Sequence, residues 1–309
     1  MPRFVQFLQH SGVYAEQDFM IVPRPGFNLV CLRDSKDVRL SHDSRLQVTD
    51  VGFDDVEHVA LEYINYRYGK KKSQERDDQL LRLRTGLFAT ARPDGLARGY
   101  KVTANGKGIP ELKATRGNIS VKLDVGLLPR KDFKIAFRFL RQLDASGKEI
   151  EATRWKPEHV PWMLDRLNWT FGAQANIFFT SVDASWFTVK KAMGPKIMRD
   201  VFRKEIVPHK IDGALTCFLV GGYDAQATEA AGEYLDDEQV FVVVDDGNPA
   251  VFDYGEAFIG VMAHEIGHFL HHQRKIGGSG HHSRGGVLLS SGMESLGLDK
   301  ALVTDLTAW

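Results

Sequence analysis

From Ala263 to Gly286 the chain reads AHEIGHFLHHQRKIGGSGHHSRGG, and this stretch holds six of the eleven histidines. His264 and His268 are four residues apart. On a helix their imidazoles project from one face about one turn from each other, the separation at which two ring nitrogens can share one ion. Glu265 follows the first of them. In this HExxH arrangement two neutral imidazoles hold zinc and leave most of its charge uncancelled. The metal lowers the pKa of a bound water from about 15.7 to about 7, and the glutamate takes the water's proton as general base. The chemistry this arrangement points to is zinc-dependent hydrolysis by a metal-bound water that Glu265 would activate. Without a metal, burying two imidazoles and a carboxylate would be costly unless each found a partner.

The element that must carry these groups is a helix. Asp253 followed by Glu256 matches a capping box with Asp in place of Ser or Thr, which predicts a helix beginning near Tyr254. Phe258, Val261, Met262, Ile266, Phe269 and Leu270 spread apolar groups widely around it, so it should be buried on most sides.

Catalytic zinc takes three protein ligands and keeps one position for water. His271 sits roughly 10 Å along the axis from His264, too far to converge on the same ion. With His272 it belongs instead at the helix end, where positive charge suits the dipole. The loop GGSGHHSRGG can fold back under the helix because three glycines precede its histidines. The third ligand is expected from this loop, and both His281 and His282 qualify.

Ahead of the helix the grammar is α/β. KIAFRFL and ANIFFTSVD read as strands, PEHVPWMLDRLNWTF as a helix with Pro161 in its first turn, and MGPKIMRDVFRKEIV as a second helix. ALTCFLVGG and EQVFVVVDDG read as buried strands, and either could supply an edge that aligns an extended substrate. From about Phe27 to Val125 the rhythm is different: FNLVCLR, DVRLS, RLQVTDV, LLRLRTGLFATARP, RGYKVTANG and ISVKLDVGLLP alternate with turns, as in a β-sandwich. The charge run Lys70 to Asp78 mixes both signs and reads as a solvated loop or hairpin tip. The rhythm stops at Leu128-Pro129-Arg130-Lys131, so two domains are expected, 1–130 and 131–309.

Lys+Arg and Asp+Glu are both 40 in 309 residues, so no net field draws the chain toward nucleic acid or an acidic membrane. Cys31 and Cys217 form no CxxC or disulfide framework and read as buried apolar residues. Neither an h-region nor a membrane-length apolar run is seen. The expectation is a soluble protein without a Sec signal, cytoplasmic or exported by a signal-independent route.

Over about Lys134 to Trp309 the chain resembles the metzincin clan of zinc metallopeptidases, on the residues AHEIGHFL, a downstream histidine, SRGGVLLSSGMES and a last helix around GLDKALVTDL that Asp299 would cap. The resemblance implies zinc ligands at His264, His268 and a later histidine, a general base at Glu265, and peptide or protein substrates. It selects His282 as the third ligand, because the residues after it resemble the stretch leading to the clan's methionine turn. Two departures stand out: His271 and Arg274 occupy the positions of the clan's glycine and third histidine, and no proline follows Met293, which leaves Leu289 as an equal candidate beneath the zinc. By strand rhythm the front half resembles Ig-like sandwich modules of bacterial surface and exported proteins. Two other functions use the same residues: a non-catalytic β-sandwich adhesion or binding protein with a structural zinc, and a zinc amidase acting on a small amide.

Overall fold

In the computed structural model the described residues are 1–8, 13–52, 58, 61–62, 74, 77, 98–190, 193, 196–224, 231–235, 237–245 and 252–273. The chain divides into two compact units, one built on Met1–Arg130 with Ala173–Asn176, the other on Lys131–Gly172 and Ile177–Asp299.

The first unit contains β1 (Arg3–Leu8), β2 (Val13–Glu16), β3 (Phe19–Arg24), β4 (Phe27–Arg33), β5 (Arg39–His42), β6 (Leu46–Asp50), β7 (Arg98–Ala104), β8 (Glu111–Arg116) and β9 (Ile119–Pro129). They form two sheets, β2-β1-β4-β7-β6 and β3-β9-β8-β5. All pairings are antiparallel except β3 with β9. Period-two patterning explains how each sheet acquires an inner face: in β8, Leu112 and Ala114 are buried while Glu111 and Lys113 are exposed. Phe4, Val30, Leu32 and Val102 from one sheet join Met20, Leu112, Leu123 and Val125 from the other in a single core.

The second unit contains β10 (Lys131–Leu143), β11 (Glu149–Ala152), α1 (Val160–Ala175), β12 (Ile177–Val189), β13 (Ile197–Met198), β14 (Leu215–Val220), β15 (Tyr223–Asp224), β16 (Gly232–Leu235), β17 (Val240–Val244) and α2 (Phe252–Gln273). β12, β10, β14 and β17 run parallel, and β16 closes the sheet antiparallel to β17. β11 pairs with the last residues of β10. All five residues of β17, VFVVV, are buried, as expected for a strand covered on both faces. On one face Phe202, Ile206 and Val207 pack on Phe218, Leu235, Val240 and Val242. Gly232 and Tyr234 alternate with Leu235's side of β16 and so face the other way, toward α2.

Several expectations change. Neither ALTCFLVGG nor EQVFVVVDDG is an edge: β14 and β17 each have neighbours on both sides, and the strands with a single neighbour are β11, β12 and β16. The helix expected in MGPKIMRDVFRKEIV forms over the second half of that segment, after the two-residue strand β13, as three consecutive short helical stretches, Arg199–Val201, Phe202–Ile206 and Val207–His209. The helix α2 already includes Phe252, which puts Asp253 in its first turn rather than before it. Gln74 and Asp77, in the charge run read as a loop, are helical. The segment LLRLRTGLFATARP lies outside the described residues. Among the described residues no helix is long and apolar enough to cross a membrane.

Candidate metal centre

The helix α2 is held on three sides by aromatic and aliphatic contacts. Ile259, Met262, Ala263, Ile266 and Leu270 are fully buried. The ring of Phe258 stacks on Trp155 at 4.3 Å between centroids, and Trp155 stacks in turn on Trp162 of α1 at 5.7 Å. Further along, Phe269 meets Phe133 of β10 and Tyr234 of β16 edge-on, at 5.5 and 6.2 Å. These contacts fix both the depth and the rotation of the helix, and therefore the direction of its polar groups.

His264 and His268 are half-buried, and their rings lie edge-to-face with centroids 4.7 Å apart. Their Nε2 atoms are 3.1 Å apart. Two nitrogens bound to one tetrahedral zinc at ordinary Zn–N lengths are separated by about 3.3 Å, so the pair fits that ion with little adjustment. The same distance permits one imidazole Nε2–H to donate to Nε2 of the other ring.

Glu265 occupies a different environment from its neighbour. It is 5 % exposed, and burial pushes its carboxyl up to about 8, against a smaller downward pull from the Tyr234 backbone N–H and an upward push from the Glu233 charge. A Cβ placed on Gly232 would stand 3.0 Å from Glu265 Oε1, 2.8 Å from Val261 Cγ1 and 3.0 Å from the Val242 carbonyl oxygen. Helix and edge strand thus touch where the strand has no side chain. Behind them Cys217 is fully buried, its thiol pushed well up by burial and by the Glu265 charge. Cys31 is buried too, its thiol pushed up to about 12 by burial, and neither cysteine is paired.

The structure brings Nε2 of His264 and of His268 together on α2, the helix that also carries Glu265. His281 and His282, the expected sources of a third ligand, lie outside the described residues, as do Arg274, Leu289, Met293 and Asp299. The backbone of His271 and His272 continues α2. Among the described residues no group of three or more His, Cys, Asp or Glu is placed to hold a metal. Gly232 and Tyr234 were missed by sequence reasoning. A glycine within a short strand, Gly232 in GEYL, is the signal that could have marked a close backbone approach.

No protein-family model matches the chain, and no curated protein matches it. Among solved structures, an archaemetzincin from Methanopyrus kandleri is similar with a TM-score of 0.38 and 13% identity, covering 57% of this chain and 94% of that one. The surface layer protein SbsC, domains 1–6, is similar with a TM-score of 0.21 and 10% identity, covering 43% of this chain and 16% of that one.

Proposed function

We propose that the chain is a zinc-dependent metallopeptidase of metzincin type, with catalytic residues in 131–309 and an Ig-like sandwich in 1–130 that serves targeting or substrate presentation. The observation that carries the reading is the 3.1 Å approach of His264 Nε2 and His268 Nε2, on the helix that also carries Glu265. Those two imidazoles hold the metal, and a later histidine completes the set: His282, with His281 as the alternative. Bound there, zinc supplies Lewis acidity that polarises a scissile carbonyl and makes water acidic.

Glu265 accepts the proton that water gives up and delivers it to the leaving amine. Its place on the helix that carries both imidazoles, directly after the first of them, suits that task. The peptide or protein substrate lies extended along an edge of this sheet, where strand addition would align it. The test is a digest of a diverse peptide library by zinc-loaded protein. Chelator-sensitive cleavage that disappears in Glu265→Gln is expected. Cleavage that survives both treatments refutes the assignment.

A further inference from the structure

We propose that Glu233, which touches neither metal nor substrate, is the positioning residue for Glu265. The inference rests on the peptidase reading only for its catalytic consequence.

The clasp is on the far face of β16. Glu233 Oε1 receives Arg199 Nη2 at 2.6 Å, and Glu233 Oε2 accepts the Tyr223 hydroxyl, so both carboxylate oxygens are engaged. Burial and the neighbouring carboxylate push the Tyr223 phenol well up, which keeps it a donor. Two more pairs join the same segment to the same hairpin: Arg203 Nη1 to Asp237 Oδ2 at 2.9 Å, and Lys210 Nζ to Glu238 Oε2 at 2.7 Å. The Arg199–Glu233 pair is the one set deep, its acid only 18 % exposed. Exposed pairs contribute little, so the constraint concentrates at Glu233. Beneath it Phe202 and Ile206 pack on Leu235 and Val242, which makes the segment a brace against the hairpin.

The opposite face of β16, at Gly232 and Tyr234, meets Glu265. The Val244 N–H donates to the Ala231 carbonyl across the β16–β17 pair at 2.9 Å. Alternation in an antiparallel ladder then turns the backbone groups of Gly232 and Tyr234 away from β17. The Tyr234 N–H goes to the Glu265 carboxylate, and Gly232 lies against Glu265 Oε1. Glu233 is the residue between these two contacts. A strand at a sheet edge is held by one neighbour only, so without the brace it is free to lift from α2 and carry the Tyr234 donor with it. Displacements of about 1 Å at a reacting group lower turnover by as much as about a hundredfold.

The experiment uses the full chain carrying Glu233→Ala, with Arg199→Lys and Glu233→Gln as milder variants should the first fail to fold. Amide hydrogen exchange is read at Tyr234 in metal-free protein, and kcat and KM are read separately on zinc-loaded protein with a cleaved library peptide. The expected result is a loss of Tyr234 protection of at least about tenfold, beyond any change at Cys217 and Leu219 of β14. With it kcat falls about tenfold, KM stays within about twofold, and Arg199→Lys keeps most of both. Unchanged Tyr234 protection in Glu233→Ala overturns the proposal, as does an equal loss throughout β14. Failure of the wild-type protein to cleave any peptide sinks the peptidase reading instead, and the exchange measurement then decides the positioning of Glu265 by itself.

Discussion

Nε2 of His264 and Nε2 of His268 stand 3.1 Å apart on one face of α2. Because the helix is anchored through Phe258 and Phe269 at points on either side, the two imidazoles meet without any loop having to close. A site preorganised in this way loses more from removal of a ligand than from any outer substitution. Residues that merely orient a ligand are worth about ten- to a hundredfold in metal affinity. His268→Ala is therefore expected to weaken zinc binding by more than about a hundredfold in a chelator competition, with the fold retained by circular dichroism.

Glu265 ties stability to pH in the metal-free protein. Its carboxyl titrates at about 8 when folded, against an ordinary value of 4.5. The folded state therefore holds a proton that the unfolded chain releases, and stability falls as pH rises from about 4.5 through about 8, by about 1.4 kcal/mol per pH unit. Glu265→Gln has no proton to lose. In chelator-treated protein it should exceed the wild type by on the order of 5 kcal/mol at about pH 9 and match it near pH 4, as read by urea unfolding at both pH values. A constant difference across that range removes the buried-acid account.

Gly232 is expected to resist any side chain. The Val242 carbonyl oxygen and Val261 Cγ1 flank the position where a Cβ would go, and a backbone atom in a central strand cannot swing aside as a flexible side chain can. Gly232→Ala should cost about 1–3 kcal/mol in chemical denaturation. No change in the unfolding midpoint would mean that β16 and α2 are less closely seated.

Much of the scaffold was legible. FNLVCLR and ISVKLDVGLLP correspond to β4 and β9 because turn residues bound them and alternation marks one face. The runs LTCFLV and VFVVV are buried at every position and apolar but for Thr216, and only strands covered on both sides tolerate that. Position within the sheet was not legible. An all-apolar strand looks the same at an edge as at the centre, so β14 and β17 were read as possible edges, whereas the true edge beside α2 is GEYL, four residues with no period of their own. The HExxH spacing gave His264, Glu265 and His268 directly, since i and i+4 share a helix face. The contacts of Glu265 with Gly232 and Tyr234 join residues about thirty positions apart, and pairing of that kind leaves no local pattern.

Trp155 supports the same helix from the other end. It is 4 % exposed between Phe258 and Trp162, so Trp155→Ala should cost about 3–5 kcal/mol. Equilibrium unfolding measures this, and a cost below about 1 kcal/mol would show that α2 is anchored elsewhere.

Zinc K-edge absorption spectroscopy on the purified full-length protein tests the central claim most directly. One zinc per chain is predicted, with at least two imidazole nitrogens at about 2.0–2.1 Å and one light-atom position left to solvent, and with that signal lost in the His264→Ala, His268→Ala double variant. A protein that takes up no zinc, or a zinc enclosed by four protein ligands and indifferent to those two histidines, would contradict it.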